Sequence, residues 1–232
     1  MEVNKLLNLT SANRSSRSLG LQHIPHIPRQ GHFIDVKQMS NSIPPGITYE
    51  GKLLEVQVGA KDASWQWAPY QRVKLFTNAF IVQNGKILLG YKKRGFGQGI
   101  WNGFGGKVEP QETTAQAAAR ELKEEAGIDA PLKHCGTLFF TLEGVEYAFH
   151  IELFVANKYT GVITESDEMR PEWYSTGQEP VDPELPPIPY DKMWADDIVW
   201  MPLLLAERPF VGRADFTANN TMERWWFAEK VQ

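Results

Sequence analysis

The stretch GKVEPQETTAQAAARELKEEAGI, residues 106–128, decides how the rest of the chain is read. With Glu121 at zero on a helical wheel, Glu124 and Glu125 flank it at roughly −60° and +40°. Ala118, Leu122, Ala115, Ala126 and Ala119 form one apolar stripe beside them, while Lys123 and Gln116 point elsewhere. One edge of a packed helix is thus expected to present three carboxylates at i, i+3 and i+4, close enough to meet. Thr113 with Gln116 reads as a capping box and Gly127 as the C-terminal stop. Crowded carboxylates raise one another's pKa. A divalent cation removes that conflict, and Mg²⁺, with Mn²⁺ as a substitute, prefers oxygen ligands and keeps room for phosphate.

Composition narrows the surroundings of this helix. At 232 residues, with 42% hydrophobic and 22% charged side chains, the chain suits one substantial core with an appendage. A net charge of −4 argues against a broad nucleic-acid surface. No apolar run is long enough to span a membrane. The single cysteine, Cys135, excludes an internal disulfide and sits in an apolar run, which reads as an inert core thiol in a reducing compartment.

Three segments follow in order. Residues 1–34 carry Lys5, Arg14, Arg17 and Arg29 against Glu2 alone, which reads as a disordered tail or a transit-like leader. Residues 35–70 hold a Pro-Pro-Gly turn, a strand LLEVQV (53–58) and the tryptophan pair of SWQWAPY, and are expected to pack on the main domain. In residues 71–232, VKLFTNAFIVQ and KILLGYKK flank the hairpin turn Asn84-Gly85. A glycine-rich loop, RGFGQGIWNGFGG (94–106), leads into the acidic helix. Strands HCGTLFFTL and VEYAFHIELFVANKY, a Pro-rich loop over 176–190, a short helix in PLLLAERP (202–209) and a closing hairpin complete the chain. Strands interleaved with two helices predict an α/β fold.

The spacing G-x5-E-x7-R-E-U-x-E-E-x-G-U, with U apolar, is filled at every fixed position, an accident on the order of 10⁻⁹ per window. It is the signature of the Nudix hydrolase superfamily, which the chain resembles; the resemblance implies a mixed β-sheet sandwiched between helices. KKRGFGQGIWNGFGGKV, ESDEMRPEW and YDKMWADDIVW are further similar to segments of the oxidised purine nucleoside triphosphate hydrolases. That likeness implies hydrolysis of triphosphates such as 8-oxo-dGTP and 2-hydroxy-dATP to the monophosphate and pyrophosphate. The substrate is then a small molecule, needing no nucleic-acid polymer and no membrane, and the enzyme a monomer. The implied address is cytoplasmic, extending to the nucleus, or the mitochondrial matrix if the leader is a transit peptide.

Residue by residue, the resemblance assigns the metal to Glu121, Glu124, Glu125, the Gly105 carbonyl and Glu168. Arg120 orients the carboxylates, Glu112 braces the loop, and Glu125 or Glu168 takes the proton. The implied substrate contacts are Thr77, Lys92, Phe96, Asn102, Phe104, Gly105, Gly106, Lys107, Phe140, Phe149, Trp194, Ala195, Asp196 and Asp197. Two adjacent aspartates in an apolar pocket should not both ionise, so one holding a proton can donate to a purine edge while the other accepts. Alternatively, Asp196-Asp197 is a helix N-terminal pair. His134 and His150 lack metal-ligand spacing and read as structural. Two further readings are a Nudix hydrolase of ADP-ribose or dinucleoside polyphosphates, and a non-catalytic nucleotide- or RNA-binding module.

Overall fold

The side chains of one long hairpin point alternately to two faces, and each face has its own helix. The computed structural model describes residues 43–49, 52–62 and 64–231; the tail or leader assigned to residues 1–34 lies outside them. Strand β1 spans Lys52–Ala60, β2 Arg72–Gln83, β3 Lys86–Lys92 and β4 Trp101–Asn102, followed by helix α1, Thr114–Ala126. Next come β5 (Ile128–Asp129), β6 (Lys133–Leu142), β7 (Tyr147–Ala156), β8 (Thr160–Gly161) and β9 (Met169–Ser175). A 3-10 turn at Tyr190–Lys192, helix α2 (Asp197–Leu205), β10 (Phe210–Phe216) and β11 (Met222–Val231) close the chain. The mixed sheet runs β1-β11-β10-β6-β7-β2-β3, with β9 on the far edge of β3; β6–β10 and β2–β7 are parallel. Strands β5 and β8 pair separately.

Ala79 and Ile81 of β2 and Leu88 of β3 pack against Ala118, Leu122 and Ala126 of α1. Phe80, Ile87 and Leu89 face the other way, toward Val199, Trp200, Leu203 and Leu204 of α2. This period-2 alternation, buried on both sides, makes the expected sandwich. Asn84 and Gly85 turn the hairpin at φ 50° and 69°, the left-handed pair a two-residue turn needs.

Helix α1 keeps both predicted ends. Thr113 and Gln116 form the reciprocal capping box, and Gly127, at φ 74°, donates its N–H to the Lys123 carbonyl. The buried stripe is rotated from the expected one: Ala117, Ala118, Leu122, Glu125 and Ala126 are inside, while Ala115 and Ala119 are exposed. The helix turns toward polar partners of Glu125 that the wheel does not contain. Helix α2 also differs. It begins at Asp197, five residues before the proline expected to open it, and carries Pro202 inside. The N–H groups of Val199 and Trp200 bond back to the Asp196 carbonyl, which starts the helix there.

The segment before β2 completes the sheet. Strand β1 pairs antiparallel with β11, with Val58 opposite Trp226. On the face opposite α2, Ile47, Leu53, Val58 and Trp67 cover Val211, Trp226 and Ala228. Arg213 holds this cover in place: its guanidinium donates to Asp215 and to the carbonyls of Pro45 (2.6 Å) and Ala68 (2.7 Å). Asp215 in turn accepts the Ala68 N–H at 2.7 Å.

Candidate active site

Strands β2 and β3 pair only near their turn, through Ile81–Leu88, Val82–Ile87 and Gln83–Lys86. Farther back they part, and residues 99–108 fill the fork. Ala79 exchanges two backbone hydrogen bonds with Phe104 (2.7 and 2.9 Å), and the Thr77 N–H reaches the Gly106 carbonyl at 2.9 Å. On the opposite side Gly90 pairs with Asn102, and the Lys92 N–H donates to the Ile100 carbonyl at 3.0 Å. The end of the predicted glycine-rich loop is therefore a strand-like insert with its backbone polar groups satisfied. Two glycines make the fit. A Cβ on Gly105 would lie 2.0 Å from the Thr77 carbonyl oxygen, and one on Gly106 would lie 2.4 Å from Glu121 Oε1.

Helix α1 lies against this insert, and its carboxylates divide between two cations. Arg120 donates to both oxygens of Glu112 (2.7 and 3.2 Å), to Glu121 (2.9 Å) and to Glu124 (3.3 Å). Glu112 also accepts the Glu109 N–H, so it braces the turn before the helix. Glu125 points away from that group. One of its oxygens accepts from Lys92 Nζ at 2.9 Å and the other from the Gly105 N–H at 2.8 Å. Lys92 Nζ also stands 2.6 Å from Glu168 Oε1, contributed by the segment before β9, and Arg94 lies 3.6 Å from that carboxylate. Glu121, Glu124 and Glu125 thus do not meet at one point as the wheel suggested. Among the described residues no three His, Cys, Asp or Glu side chains form a ready coordination shell, because Lys92 and Arg120 stand between them.

The charges nevertheless suit a divalent ion. Five carboxylates (Glu112, Glu121, Glu124, Glu125, Glu168) are paired with three cations (Lys92, Arg94, Arg120), so oxygen donors outnumber the cations that hold them. Burial pushes the Glu125 carboxyl up to about 7, although Lys92 and the Gly105 N–H pull it down. Glu121 is also raised, chiefly by burial and further by Glu124. Burial alone would lower Lys92, but Glu125 and Glu168 hold it above its ordinary value. A cation placed here would relieve both glutamates.

A cavity of about 500 Å³ runs from these carboxylates to the α2 face of the sheet. Lys92, Gly105, Gly106, Lys107, Arg120, Glu121, Glu124 and Glu168 line one end; Thr77, Phe96, Asn102, Phe140, Phe149, Trp194, Asp196 and Asp197 line the other. The rings of Phe140 and Phe149 stack at 4.1 Å. Phe96, 54% exposed, stacks near-parallel on Phe149 (5.1 Å) and Trp194 (5.5 Å). Asp197 Oδ2 accepts the Trp194 N–H at 3.2 Å, and Asp196 Oδ2 accepts Trp200 Nε1 at 3.1 Å. Burial raises both aspartates, and the charge of Asp196 raises Asp197 further. The pair stands at the N-terminus of α2, yet Asp196 makes no side-chain cap, so the two readings of these residues coincide in place but not in bonding.

Two expected contacts are not on the cavity wall. Phe104 is wholly buried against Leu122 and Ala126 of α1, because its position in the insert points it to the face opposite the pocket. Ala195 is exposed at the turn before α2. Glu125 is buried behind the wall, reaching the site through Lys92 and Gly105. Asn78 is among the wall residues that the sequence reading did not single out. Asn78 donates from Nδ2 to Asn102 Oδ1 at 2.7 Å, while its own Oδ1 and the neighbouring Thr77 Oγ1 are buried with no partner. The signal was present, since Thr77-Asn78 interrupts an otherwise apolar strand. Asn102 spends its oxygen on Asn78 and on the Gly103 N–H, leaving its amide nitrogen to meet a ligand. His134 and His150 both bond Glu152, outside the cavity.

Residues 74–204, which carry α1, nearly all of α2 and most of the cavity wall, match the NUDIX domain: the chain belongs to that family of hydrolases. Over 150 residues it is 44% identical to the oxidized purine nucleoside triphosphate hydrolase of Danio rerio and 40% identical to that of Mus musculus. Each match covers 64% of this chain and 90% of the relative. Among solved structures, a MutT protein from Bacillus halodurans superimposes with a TM-score of 0.54 at 25% identity, covering 66% of this chain and 95% of the other. No helix among the described residues is long and apolar enough to cross a membrane.

Proposed function

We propose that the chain hydrolyses nucleoside and deoxynucleoside triphosphates bearing an oxidised purine, of the 8-oxo-dGTP and 2-hydroxy-dATP type, to the monophosphate and pyrophosphate. The observation that carries this reading is one cavity with a carboxylate cradle at one end and two buried, adjacent aspartates beside a tryptophan at the other.

Glu121, Glu124, Glu125 and Glu168 would hold Mg²⁺ with the Gly105 carbonyl. Bound there, the ion supplies charge neutralisation at phosphate oxygens and a more acidic water. Arg120 keeps Glu121 and Glu124 facing the cavity while Glu112 fixes the guanidinium from behind. Glu125 is engaged by Lys92 and the Gly105 N–H, and Glu168 by Lys92 and Arg94. Glu168 is the more exposed of the pair, so we assign proton acceptance to it. Trp194 offers the base a stacking face. Asn102 donates from its amide nitrogen, and the partnerless oxygens of Thr77 and Asn78 supply further contacts. Asp196 and Asp197, sharing a proton, offer one donor and one acceptor to the purine edge, which suits oxidised guanine and oxidised adenine alike.

We take the protein to act as a monomer, which light scattering at assay concentration tests. We place the protein in the cytoplasm, extending to the nucleus; imaging of the tagged full chain tests this, and loss of the first ~30 residues in cells would indicate mitochondrial import instead. The reaction is tested by pyrophosphate release with Mg²⁺ from 8-oxo-dGTP, 2-hydroxy-dATP, dGTP and ADP-ribose. Wild type should prefer the oxidised triphosphates, and Glu124→Gln should lose the activity. Equal rates on dGTP and 8-oxo-dGTP would sink the oxidised-purine reading, and undiminished activity of Glu124→Gln would sink the cradle.

A further inference from the structure

Lys92 is placed unlike the other cations of the site. Its side chain is 13% exposed, and its Nζ sits 2.9 Å from Glu125 Oε1 and 2.6 Å from Glu168 Oε1. One ammonium therefore bridges helix α1 and the segment before β9. The backbone around it is pinned, through Lys92 N–H to Ile100, Gly99 N–H to Lys92, and Lys93 N–H to the Glu168 carbonyl (2.8–3.0 Å). The side chain has no such anchor. Arg120 is held on both edges by Glu112 and Glu121 in fixed fork geometry, whereas Lys92 is a point charge on a flexible stem whose polar contacts are those two carboxylates. Those carboxylates are also two of the proposed metal donors. A divalent ion and the ammonium cannot both take the same oxygens, because like charges that close repel strongly in a half-buried site.

We propose that Lys92 is a resident counter-cation that competes with the metal for Glu125 and Glu168 and is released toward the nucleotide when the metal enters. This rests on the metal-cradle reading above. The direction of release follows from position: Lys92 lines the same cavity, with its ammonium at the carboxylate end where the phosphates would lie. A displaced ammonium pointing into that space meets the phosphates of a bound nucleotide. Metal entry frees a cation that the nucleotide needs, and the nucleotide gives the displaced cation a partner. Each ligand therefore favours the other, and by linkage the coupling is reciprocal. Without nucleotide, the ammonium keeps the cradle partly neutralised and metal occupancy low.

The test is Mn²⁺ binding by calorimetry, with and without dGMP, for wild type, Lys92→Met and Glu124→Gln. Lys92→Met should bind Mn²⁺ at least about tenfold more tightly than wild type in the absence of nucleotide. dGMP should tighten Mn²⁺ binding to wild type and leave Lys92→Met nearly unchanged. The metal-free variant should unfold at a lower temperature than wild type, with Mn²⁺ raising its midpoint by more. Equal or weaker Mn²⁺ binding by Lys92→Met, or equal tightening by dGMP in both proteins, overturns the proposal. If Lys92→Met does not fold, Lys92→Gln, which keeps a neutral donor to the buried oxygens, carries the same comparison. Glu124→Gln leaves both Lys92 contacts in place. Mn²⁺ binding retained in that variant counts against the cradle, whereas binding lost there without a gain in Lys92→Met counts against Lys92 alone.

Discussion

Arg213 Nε donates to Asp215 Oδ1 at 2.8 Å with both side chains sealed from solvent, and the same guanidinium reaches the Pro45 and Ala68 carbonyls. Two neighbouring positions of β10 thereby clasp the segment that precedes β2. Arg213→Met leaves a buried carboxylate without its partner and should cost roughly 3–5 kcal/mol in urea unfolding. Arg213→Met with Asp215→Leu should recover a large part of that loss. No recovery would mean that the two carbonyl bonds, rather than the charge pair, are what the fold requires.

Gly106→Ala places a methyl 2.4 Å from Glu121 Oε1 and 3.0 Å from Oε2, so the carboxylate must move. Displacing a metal-holding group by about 1 Å should lower kcat by on the order of 10²-fold. Circular dichroism and the unfolding midpoint should change little, since Glu121 lies at the edge of the core. A variant with normal turnover would show that the Glu121 position is not critical.

Burial and the charge of Asp196 hold the Asp197 carboxyl well above the usual range. The folded state keeps a proton that the unfolded chain releases near about pH 4. The stability this group contributes is complete below that pH and is lost as pH rises through the raised folded value. Asp197→Asn removes the dependence, so its stability relative to wild type should climb as pH rises above about 4 and level off once the raised folded value is passed. Urea midpoints at a series of pH values check this; parallel curves would mean that Asp197 ionises normally.

Phe96 stacks on both Phe149 and Trp194 while remaining largely exposed. Its removal should weaken nucleotide binding more than chemistry. We expect Phe96→Ala to raise KM about 3–10-fold with kcat nearly unchanged. A loss confined to kcat would place the ring's role at the phosphates instead.

Helix α1 was legible because its signals are local: Thr113, Gln116 and Gly127 lie within one turn of its ends. The hairpin at Asn84-Gly85 and the β10–β11 closure were readable for the same reason. What escaped depends on partners distant in sequence. No periodicity shows that Lys92 draws Glu125 inward and turns Ala115 and Ala119 outward. The division of the carboxylates between Lys92 and Arg120 requires the fork between β2 and β3, and that fork also sends Phe104 to the α1 face. Asn78 was overlooked beside Thr77 although both interrupt the same apolar run. The positions of Pro45 and Ala68 depend on Arg213 and Asp215, which no local signal links to them.

The fork in the sheet has a metric consequence for the proposed reaction. Asn102, which would meet the base, and Gly106, which abuts the metal carboxylates, lie four residues apart on one extended insert bonded to strands on both sides. At about 3.3 Å per residue, that separation is roughly 13 Å. The insert is thus a ruler built into the backbone, graduated in strand residues and clamped to β3 at one end and to β2 at the other. A ligand whose base-to-phosphate span differs from that length would satisfy one end of the cavity at the expense of the other. Selection by length would then precede selection by side-chain chemistry.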